Sequence, residues 1–274
     1  MTAIKSILVH ADRSTASERR VGLAAALAES FGAKLTGAAG GVPYIPAYAP
    51  FGESFVTLQP EIIEAAQKQV AAALATAEAG FHKASGAGAA WRQSTVAGSA
   101  TLLATLARSA DLIVCGPPAA GEGDSVIGME VSDLVMAAGR PVLVTPAAME
   151  RLSGKSIVVG WKDTRESRRA VADAMPFLLR AGEAVVAAVG ADDESRGAQD
   201  VAAWLNTHGV NAKAMTESGS DADAAKSLAA IAARVGADLI VAGAFGHSRT
   251  REWIFGGVTR TLLTRGTTAV LFSH

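Results

Sequence analysis

The feature that most constrains the fold of this chain is an internal repeat. Residues 6–14 read SILVHADRS, and residues 156–164, which lie 150 positions later, read SIVVGWKDT. Residues 110–116 read ADLIVCG, and residues 237–243, which lie 127 positions later, read ADLIVAG. Two matches in the same order indicate two copies of one domain. We therefore predict domains at residues 1–147 and 153–274, joined by a short polar linker near 145–155.

The first copy carries extra sequence, because the two spacings differ by 23 residues. The segment GVPYIPAYAPFGESFVTLQP (41–60) accounts for it, and its proline, glycine and aromatic residues without helical period predict a long loop. A loop of this length is often functional or covers another surface. A tolerated surface insertion is the alternative.

Apolar runs alternate with helical patterns within each copy. In the second copy the predicted strands are 156–161, 183–189, 210–215, 238–243 and 267–272. The predicted helices are 166–182, a segment near 194–208, 221–236 with Asp221 as N-cap and Gly236 as stop, and 251–266. Strands that are apolar throughout indicate a sheet covered on both faces, and the alternation indicates parallel pairing. The predicted fold class is α/β, as two tandem doubly wound parallel-sheet domains of Rossmann-like type; an all-α fold is the alternative.

Composition excludes several classes of protein. Hydrophobic residues make up 50% of the chain and charged residues 19%, which excludes a disordered chain. A net charge of −1 gives no basic field for nucleic acid. The single cysteine, Cys115, excludes an intramolecular disulfide and a cysteine-based zinc site. We expect a cytoplasmic protein with no membrane partner, because no signal peptide and no run of about 18 apolar residues is present.

Ligands of open parallel sheets bind beyond the carboxyl ends of the strands. In the second copy these positions include Trp161, Lys162, Asp163 and Val189. The segment GAFGHSRTREWIFGGVTR (243–260) follows the fourth strand of that copy. Its glycines allow backbone N–H groups to approach a phosphate closely, and a helix that starts near 256–258 would point N–H groups at it. The candidate ligand-binding residues in this segment are Gly243, Gly246, His247, Ser248, Arg249, Gly256, Gly257, Val258 and Thr259.

The opening ILVHADRS, the strand ADLIVAG and the spacing of Gly243, Gly246 and Gly256 resemble the universal stress protein family. ATP-binding members carry Gly-x2-Gly-x9-Gly followed by Ser or Thr, and here Gly257 stands at the hydroxyl position. The resemblance spans both copies and implies a tandem member that binds adenine nucleotide, ATP with or without Mg²⁺, in its second domain. The family's acidic residue after the first strand maps onto Asp12 in the first copy and onto Lys162 in the second.

The first copy departs from the glycine pattern. In an ungapped alignment the residues that face Gly246, Gly256, Gly257, Arg249 and Arg251 are Ala119, Met129, Glu130, Glu122 and Asp124. Pro117 and Pro118 also remove two backbone N–H donors. Acidic side chains in a cleft repel a triphosphate. We therefore expect that the first domain does not bind ATP in the family manner, although it keeps Asp12. That it holds no cofactor is an equally open alternative.

Several residues have structural alternatives. Trp161 is either an adenine contact or a core residue, and Lys162 either neutralises phosphate or is solvated. Cys115 is expected to be a small buried hydrophobe, and Ser14 and Thr164 are expected to cap helices. The five histidines show no metal-ligand spacing.

No nucleophile elbow, Walker lysine motif or dinucleotide fingerprint is present, so we expect no enzyme beyond a weak ATPase. A non-nucleotide scaffold, or a carrier of a small apolar ligand lined by the 41–60 loop, is the rival hypothesis. The two domains are expected to form an intramolecular pseudo-dimer, with 142–146 and 269–273 as candidate seams through resemblance to the family. Whether two chains form a homodimer stays open.

Overall fold

The computed structural model describes residues 3–44, 60–86, 88–117, 126–190, 192–219, 224–244 and 267–274, with the backbone alone for 192–196. Strands and helices alternate along the chain. The first half contains β1 (Ser6–His10), α1 (Thr15–Phe31), β2 (Lys34–Gly40), α2 (Pro60–Ser85), β3 (Ala90–Ser94), α3 (Ser99–Leu106), β4 (Leu112–Cys115), α4 (Val131–Ala138) and β5 (Val142–Val144). The second half contains β6 (Ser156–Trp161), α5 (Arg165–Leu178), β7 (Glu183–Val189), α6 (Asp192–Thr207), β8 (Ala212–Glu217), α7 (Ala224–Val235), β9 (Leu239–Gly243) and β10 (Ala269–Ser273).

All these strands form one sheet in the order β3-β2-β1-β4-β5-β10-β9-β6-β7-β8. Eight of the nine strand pairs are parallel, and only β5 and β10 are antiparallel. The strand order of the second half is therefore that of the first half read in reverse. The α/β fold class predicted from the repeat is confirmed.

The antiparallel pair that joins the halves has a self-complementary register. Leu143 pairs with Leu271, and Val144 pairs with Val270. In the sequence repeat, Val270 is the counterpart of Leu143 and Leu271 is the counterpart of Val144. Leu143 thus pairs with the counterpart of Val144, and Val144 pairs with the counterpart of Leu143. This exchange is the pattern of a twofold axis that relates two similar surfaces.

The sheet is covered on both faces, as its apolar strands require. One face packs against buried residues of α1, α2, α5 and α6, and the other packs against α3, α4 and α7. On the first face Phe31 at the end of α1 contacts Phe177 of α5 edge to face, with ring centroids 5.3 Å apart. The two halves therefore share side-chain packing as well as strand pairing.

The limits of several elements differ from the sequence predictions. Helix α5 ends at Leu178, four residues before Gly182, because residues 179 and 180 continue only as a turn. Strand β8 starts at Ala212 instead of 210, and β10 starts at Ala269 instead of 267. Helix α7 is described from Ala224, and its predicted cap Asp221 lies outside the described residues. Gly236 has the positive φ of 64° that suits a helix stop.

The aspartate in each copy of the second repeated motif has a hydrogen-bonding role that the sequence pattern did not reveal. Asp111, in ADLIVCG, accepts hydrogen bonds from the backbone N–H groups of Lys5 and Ser6 at 2.8 and 2.9 Å. Asp238, in ADLIVAG, accepts from Ser153 and Gly154 in the same way. These aspartates tie the segment that leads into the first strand of each half.

Candidate functional site

Each half has a point where the strand order reverses, between β1 and β4 in the first half and between β6 and β9 in the second. Parallel sheets bind ligands beyond the carboxyl ends of the strands at such a point. An equivalent helix follows the first strand of each half, α1 after β1 and α5 after β6. Ser14 caps α1 by accepting a hydrogen bond from Ser17 N–H, and Thr164 caps α5 by accepting one from Ser167 N–H. Both predicted helix caps are present, so the two reversal points have the same local backbone plan.

In the first half the reversal point is filled by the side chain of Arg20. Its guanidinium is 4% exposed, and its Nη2 donates to Asp12 Oδ2 at 2.7 Å. Its Nε donates to the carbonyl oxygen of His10, at the end of β1, at 2.9 Å. A Cβ added at Gly116, just beyond β4, would collide with Arg20 Nη1. The first glycine of this copy therefore accommodates an internal arginine.

The Arg20–Asp12 ion pair sets the charge state of the first reversal point. Burial alone would raise the pKa of Asp12, but the charge of Arg20, the neighbouring His10 and the hydrogen bonds with Ser14 together outweigh burial and lower the pKa to about 2. Burial, together with Arg20, lowers the pKa of His10 from 6.5 to about 4, so that His10 is neutral at pH 7. Asp12 is thus an ionised partner of Arg20 and His10 is an uncharged neighbour.

A second group of contacts closes the same region. Ile127 is fully buried, and its carbonyl oxygen accepts from Ser99 Oγ at 2.8 Å and contacts His10 Nε2 at 3.3 Å. Ser99 also bonds both backbone groups of Gly40, at the end of β2. The Ile127 side chain lies so close to Gly41 that an added Cβ would be 3.0 Å away. The carboxyl ends of β1, β2 and β4 are therefore covered by the chain's own residues.

Among the described residues, the second half has no such filling. The counterpart of Arg20 is Ala170, which is buried in the core. At the end of β9, a Cβ on Gly243 would lie 2.5 Å from the backbone nitrogen of Ser167 and 2.6 Å from the carbonyl carbon of Glu166. Gly243 therefore lets the first turn of α5 pack directly against the strand end. The positive end of that helix lies at the reversal point.

The other described candidate residues are placed as follows. Trp161 is 7% exposed, and its Nε1 is buried against Gly197 of α6 without a hydrogen-bond partner. Val189 is also 7% exposed, at the end of β7. The carbonyl oxygen of Lys162 accepts from Thr164 N at 2.7 Å. Asp163 forms an exposed ion pair with Arg168 at 2.8 Å. Trp161 and Val189 are core residues here, and ligand contact by these four side chains stays a prediction.

The rest of the glycine segment lies outside the described residues. The candidates Gly246, His247, Ser248, Arg249, Gly256, Gly257, Val258 and Thr259 lie outside the described residues, as do Ala119, Glu122 and Asp124 of the first copy. Among the residues that are described, no group of His, Cys, Asp or Glu side chains has the arrangement of a metal site.

Cys115 and the described helices bear on two further expectations. Cys115 is fully buried at the end of β4, and burial raises the pKa of its thiol to about 12. It therefore packs as a small hydrophobe, as predicted. Within the described ranges, no helix has both the length and the apolar character needed to cross a membrane.

Arg20 and Ile127 lie at the first reversal point but were not predicted there from the sequence. A signal for Arg20 was present, because it lies on the buried stripe of α1 with Ala24, Leu27 and Phe31. A charged residue on an apolar helix stripe indicates a buried partner. Ile127 gave no such signal, because an isoleucine in a loop has no periodic neighbours.

The fold is similar to that of several proteins of known structure. No protein-family model and no curated protein matches the chain. A universal stress protein from Archaeoglobus fulgidus DSM 4304 superimposes with a TM-score of 0.71 at 14% identity, over 98% of this chain and 95% of that chain.

Two proteins from Pseudomonas aeruginosa also superimpose over most of their length. One of unknown function, from strain PAO1, has a TM-score of 0.56 at 15% identity, over 99% of this chain and 92% of its own. One from strain UCBPP-PA14 has a TM-score of 0.58 at 17% identity, over 99% and 93%. The chain therefore shares its fold, over nearly its whole length, with a universal stress protein.

Proposed function

We propose that this chain is a tandem universal stress protein that binds adenine nucleotide, ATP with or without Mg²⁺, in its second half. Binding would change the conformation or assembly of the protein and so regulate a partner, with no more than weak ATP turnover. The proposal includes no nucleic acid and no membrane partner, and it keeps the cytoplasm as the expected location.

The observation that carries the proposal is the contrast between the two reversal points. In the first half, Arg20, Asp12 and Ile127 fill the ends of β1, β2 and β4. In the second half, Ala170 replaces the arginine, and Gly243 brings the N-terminus of α5 to the end of β9. A helix N-terminus beside a glycine-rich segment favours an anion such as a phosphate. This supports one nucleotide site per chain, in the second half.

The sequence of the second half supports the same ligand. Gly246 and Gly256 follow Gly243 at the spacing of the ATP-binding pattern, and Arg249 and Arg251 replace two acidic residues of the first copy. Gly257 in place of a hydroxyl and Lys162 in place of a carboxylate change the donors around the ligand. We expect Lys162 to favour the phosphates, and the affinity to depend on backbone N–H groups.

Isothermal titration calorimetry of the full chain with ATP tests this proposal. We expect one ATP per chain, and a stabilisation of about 2.7 kcal/mol when ATP reaches about one hundred times its Kd. Gly246→Glu is expected to abolish binding, because it places a carboxylate beside the phosphates. Its matched control is Ala119→Glu, at the counterpart position of the first copy, which is expected to leave binding intact.

Four results would contradict the proposal or favour a rival. The absence of any ATP-dependent thermal shift at millimolar ATP would exclude the nucleotide site. Loss of binding in Ala119→Glu alone would move the site to the first half. ATP turnover that is lost in Gly246→Glu would favour the weak ATPase. A small apolar molecule in the native mass spectrum of the purified protein would favour the carrier.

We also propose that the two halves act as an intramolecular pseudo-dimer. The self-complementary pairing of β5 with β10 and the contact of Phe31 with Phe177 support this arrangement. Light scattering on the full chain, with and without ATP, tests whether a homodimer forms in addition.

A further inference from the structure

A cavity of about 320 Å³ lies where α5 of the second half meets the amino ends of the first half's strands. Its first-half wall contains Ile4, Asp111 and Arg140, and its α5 wall contains Arg169, Asp173 and Pro176. Residues 169, 173 and 176 lie on one face of the helix, because they are four and three positions apart. This cavity is at the opposite end of the first half's strands from Arg20, and it is not part of the proposed nucleotide site.

The cavity contains polar groups that lack partners in the described part of the chain. Asp173 Oδ2 is buried without a hydrogen bond, and its nearest cation, Arg169 Nε, is 3.7 Å away. Arg169 Nη2 donates to the carbonyl oxygen of Gly139 at 2.8 Å. Arg140 donates only its Nε, to Ala107 at 3.3 Å, among the bonds recorded between described residues. A buried acceptor without a donor is costly, so the cavity favours a molecule that brings N–H donors and a carboxylate.

The twofold relation of the halves allows the cavity beside α5 to be compared with the equivalent place beside α1. The counterpart of Arg169 is Arg19 of α1, 150 positions earlier. At α1 the corresponding place is occupied by the linker that joins the halves. Arg19 Nη1 donates to the carbonyl oxygen of Ala147 at 3.3 Å, and Arg19 Nε lies 3.6 Å from Glu150 Oε1.

The linker also supplies apolar contacts at that place. Met149 and Leu152, on either side of Glu150, pack against the core beneath the sheet. The linker therefore offers an acidic side chain between apolar ones and an exposed backbone carbonyl to a helix arginine. The related place beside α5 has the helix arginine, and none of the described residues fills it.

We propose that the cavity beside α5 is a docking site for an extended segment of a partner protein that carries an acidic residue between apolar ones. The carboxylate of that segment pairs with Arg140 and Arg169. A backbone N–H of the segment donates to Asp173 Oδ2, and its apolar side chains cover Ile4 and Pro176. The proposal does not depend on nucleotide binding in the second half.

A synthetic peptide with the sequence of residues 146–155, PAAMERLSGK, is the probe, labelled for fluorescence anisotropy and titrated with the full chain. We expect saturable binding that weakens about tenfold, or 1.4 kcal/mol, in Arg140→Ala and in Arg169→Glu. A peptide with lysine in place of its glutamate is expected to bind equally weakly. Arg168→Glu is the matched control, because Arg168 lies on α5, is exposed and is not in the cavity wall.

Several outcomes would overturn this assignment. No saturable binding at about 1 mM protein would exclude the site. Equal losses in Arg168→Glu and Arg169→Glu would show a non-specific charge effect. Loss of binding in Arg19→Glu, with Arg169→Glu unaffected, would show that the peptide replaces the linker at α1. Free glutamate that competes as well as the peptide would identify a small-molecule site instead. Thermal melts check the fold of each variant, and Arg140→Ala carries the test if Arg169→Glu unfolds.

Discussion

The two halves of this protein repeat one backbone plan and use its carboxyl edge differently. In the first half a buried arginine, Arg20, crosses from α1 to the ends of β1 and β4 and pairs with Asp12. In the second half Ala170 stands at the position equivalent to Arg20, and the first turn of α5 packs against Gly243. The comparison teaches that a few side chains can close a reversal point while the strands and helices around it stay the same.

The largest test of this comparison is the removal of Arg20. Arg20→Ala leaves the Asp12 carboxylate without its cation, and breaking a buried pair in this way costs about 3–5 kcal/mol of unfolding free energy. Urea denaturation measures the loss. The matched control is Arg168→Ala in the second half, where the exposed pair with Asp163 is worth about 0–1 kcal/mol. Equal losses in the two variants would show that Arg20 does not secure the first half.

The second test uses pH, because His10 at the end of β1 has Gly160 as its counterpart in the second half. The pKa of His10 is lowered from 6.5 to about 4 in the folded protein, so the unfolded chain binds the proton first as pH falls. Stability from this group is complete above pH 6.5 and is lost towards pH 4, by about 3 kcal/mol in total.

His10→Gln keeps an N–H donor near Ile127 but does not titrate, so the variant is expected to lack this loss. Urea denaturation at pH 7, 5.5 and 4 measures the difference between the two proteins. If the unfolding free energies of the wild type and of His10→Gln have the same pH dependence, His10 is not the source of the loss of stability. The stabilisation from Asp12, whose pKa is lowered from 3.8 to about 2, is complete above about pH 4 and is lost only as the pH falls towards 2.

The third test compares the first glycine of each loop. Gly243→Ala would push the backbone of α5, and overpacking of this kind costs about 1–3 kcal/mol. Gly116→Ala meets the Nη1 end of the Arg20 side chain, which is held by Asp12 and His10 but yields more easily than helix backbone, so we expect a smaller loss. Gly80→Ala in α2 has open space around it and is expected to stabilise by about 0.5–1 kcal/mol. A smaller loss for Gly243→Ala than for Gly116→Ala would contradict the difference described between the halves.

The fourth and smallest test concerns what the halves share. Ser14→Ala and Thr164→Ala each remove a side-chain helix cap, and each is expected to cost about 1 kcal/mol. Thermal denaturation, with Ser30→Ala as a control within α1, measures both. A loss of stability in only one of the two variants would show that the first turns of α1 and α5 do not depend on their caps in the same way.

The sequence predicted the fold better than the site for physical reasons. Strands β6 and β7 have the predicted limits, because continuous Val and Ile runs can be buried only in a covered sheet. Helix ends were less accurate, as at Leu178, because they depend on local turns and caps. The seam strands were anticipated, but their register depends on side chains from both halves.

The filled reversal point was only partly predictable. The loss of glycines in the first copy indicated that a nucleotide would not fit there. The means of closure, an ion pair between residues eight apart, depends on how α1 lies over β1 and β4. The Arg20 side chain lies on an apolar helix stripe, and only the packed structure shows that Asp12 and the carbonyl of His10 meet it.

The antiparallel pairing of β5 with β10 has a consequence for how the halves could diverge. Two identical chains that associate in this way must carry the same residues at both carboxyl edges. Here a linker of a few residues keeps the second half beside the first at an effective concentration in the millimolar range, whatever the cellular concentration of the protein. Each half therefore always meets the same unlike neighbour. Fusion in one chain thus allows one edge to be filled by its own side chains while the other edge keeps different residues.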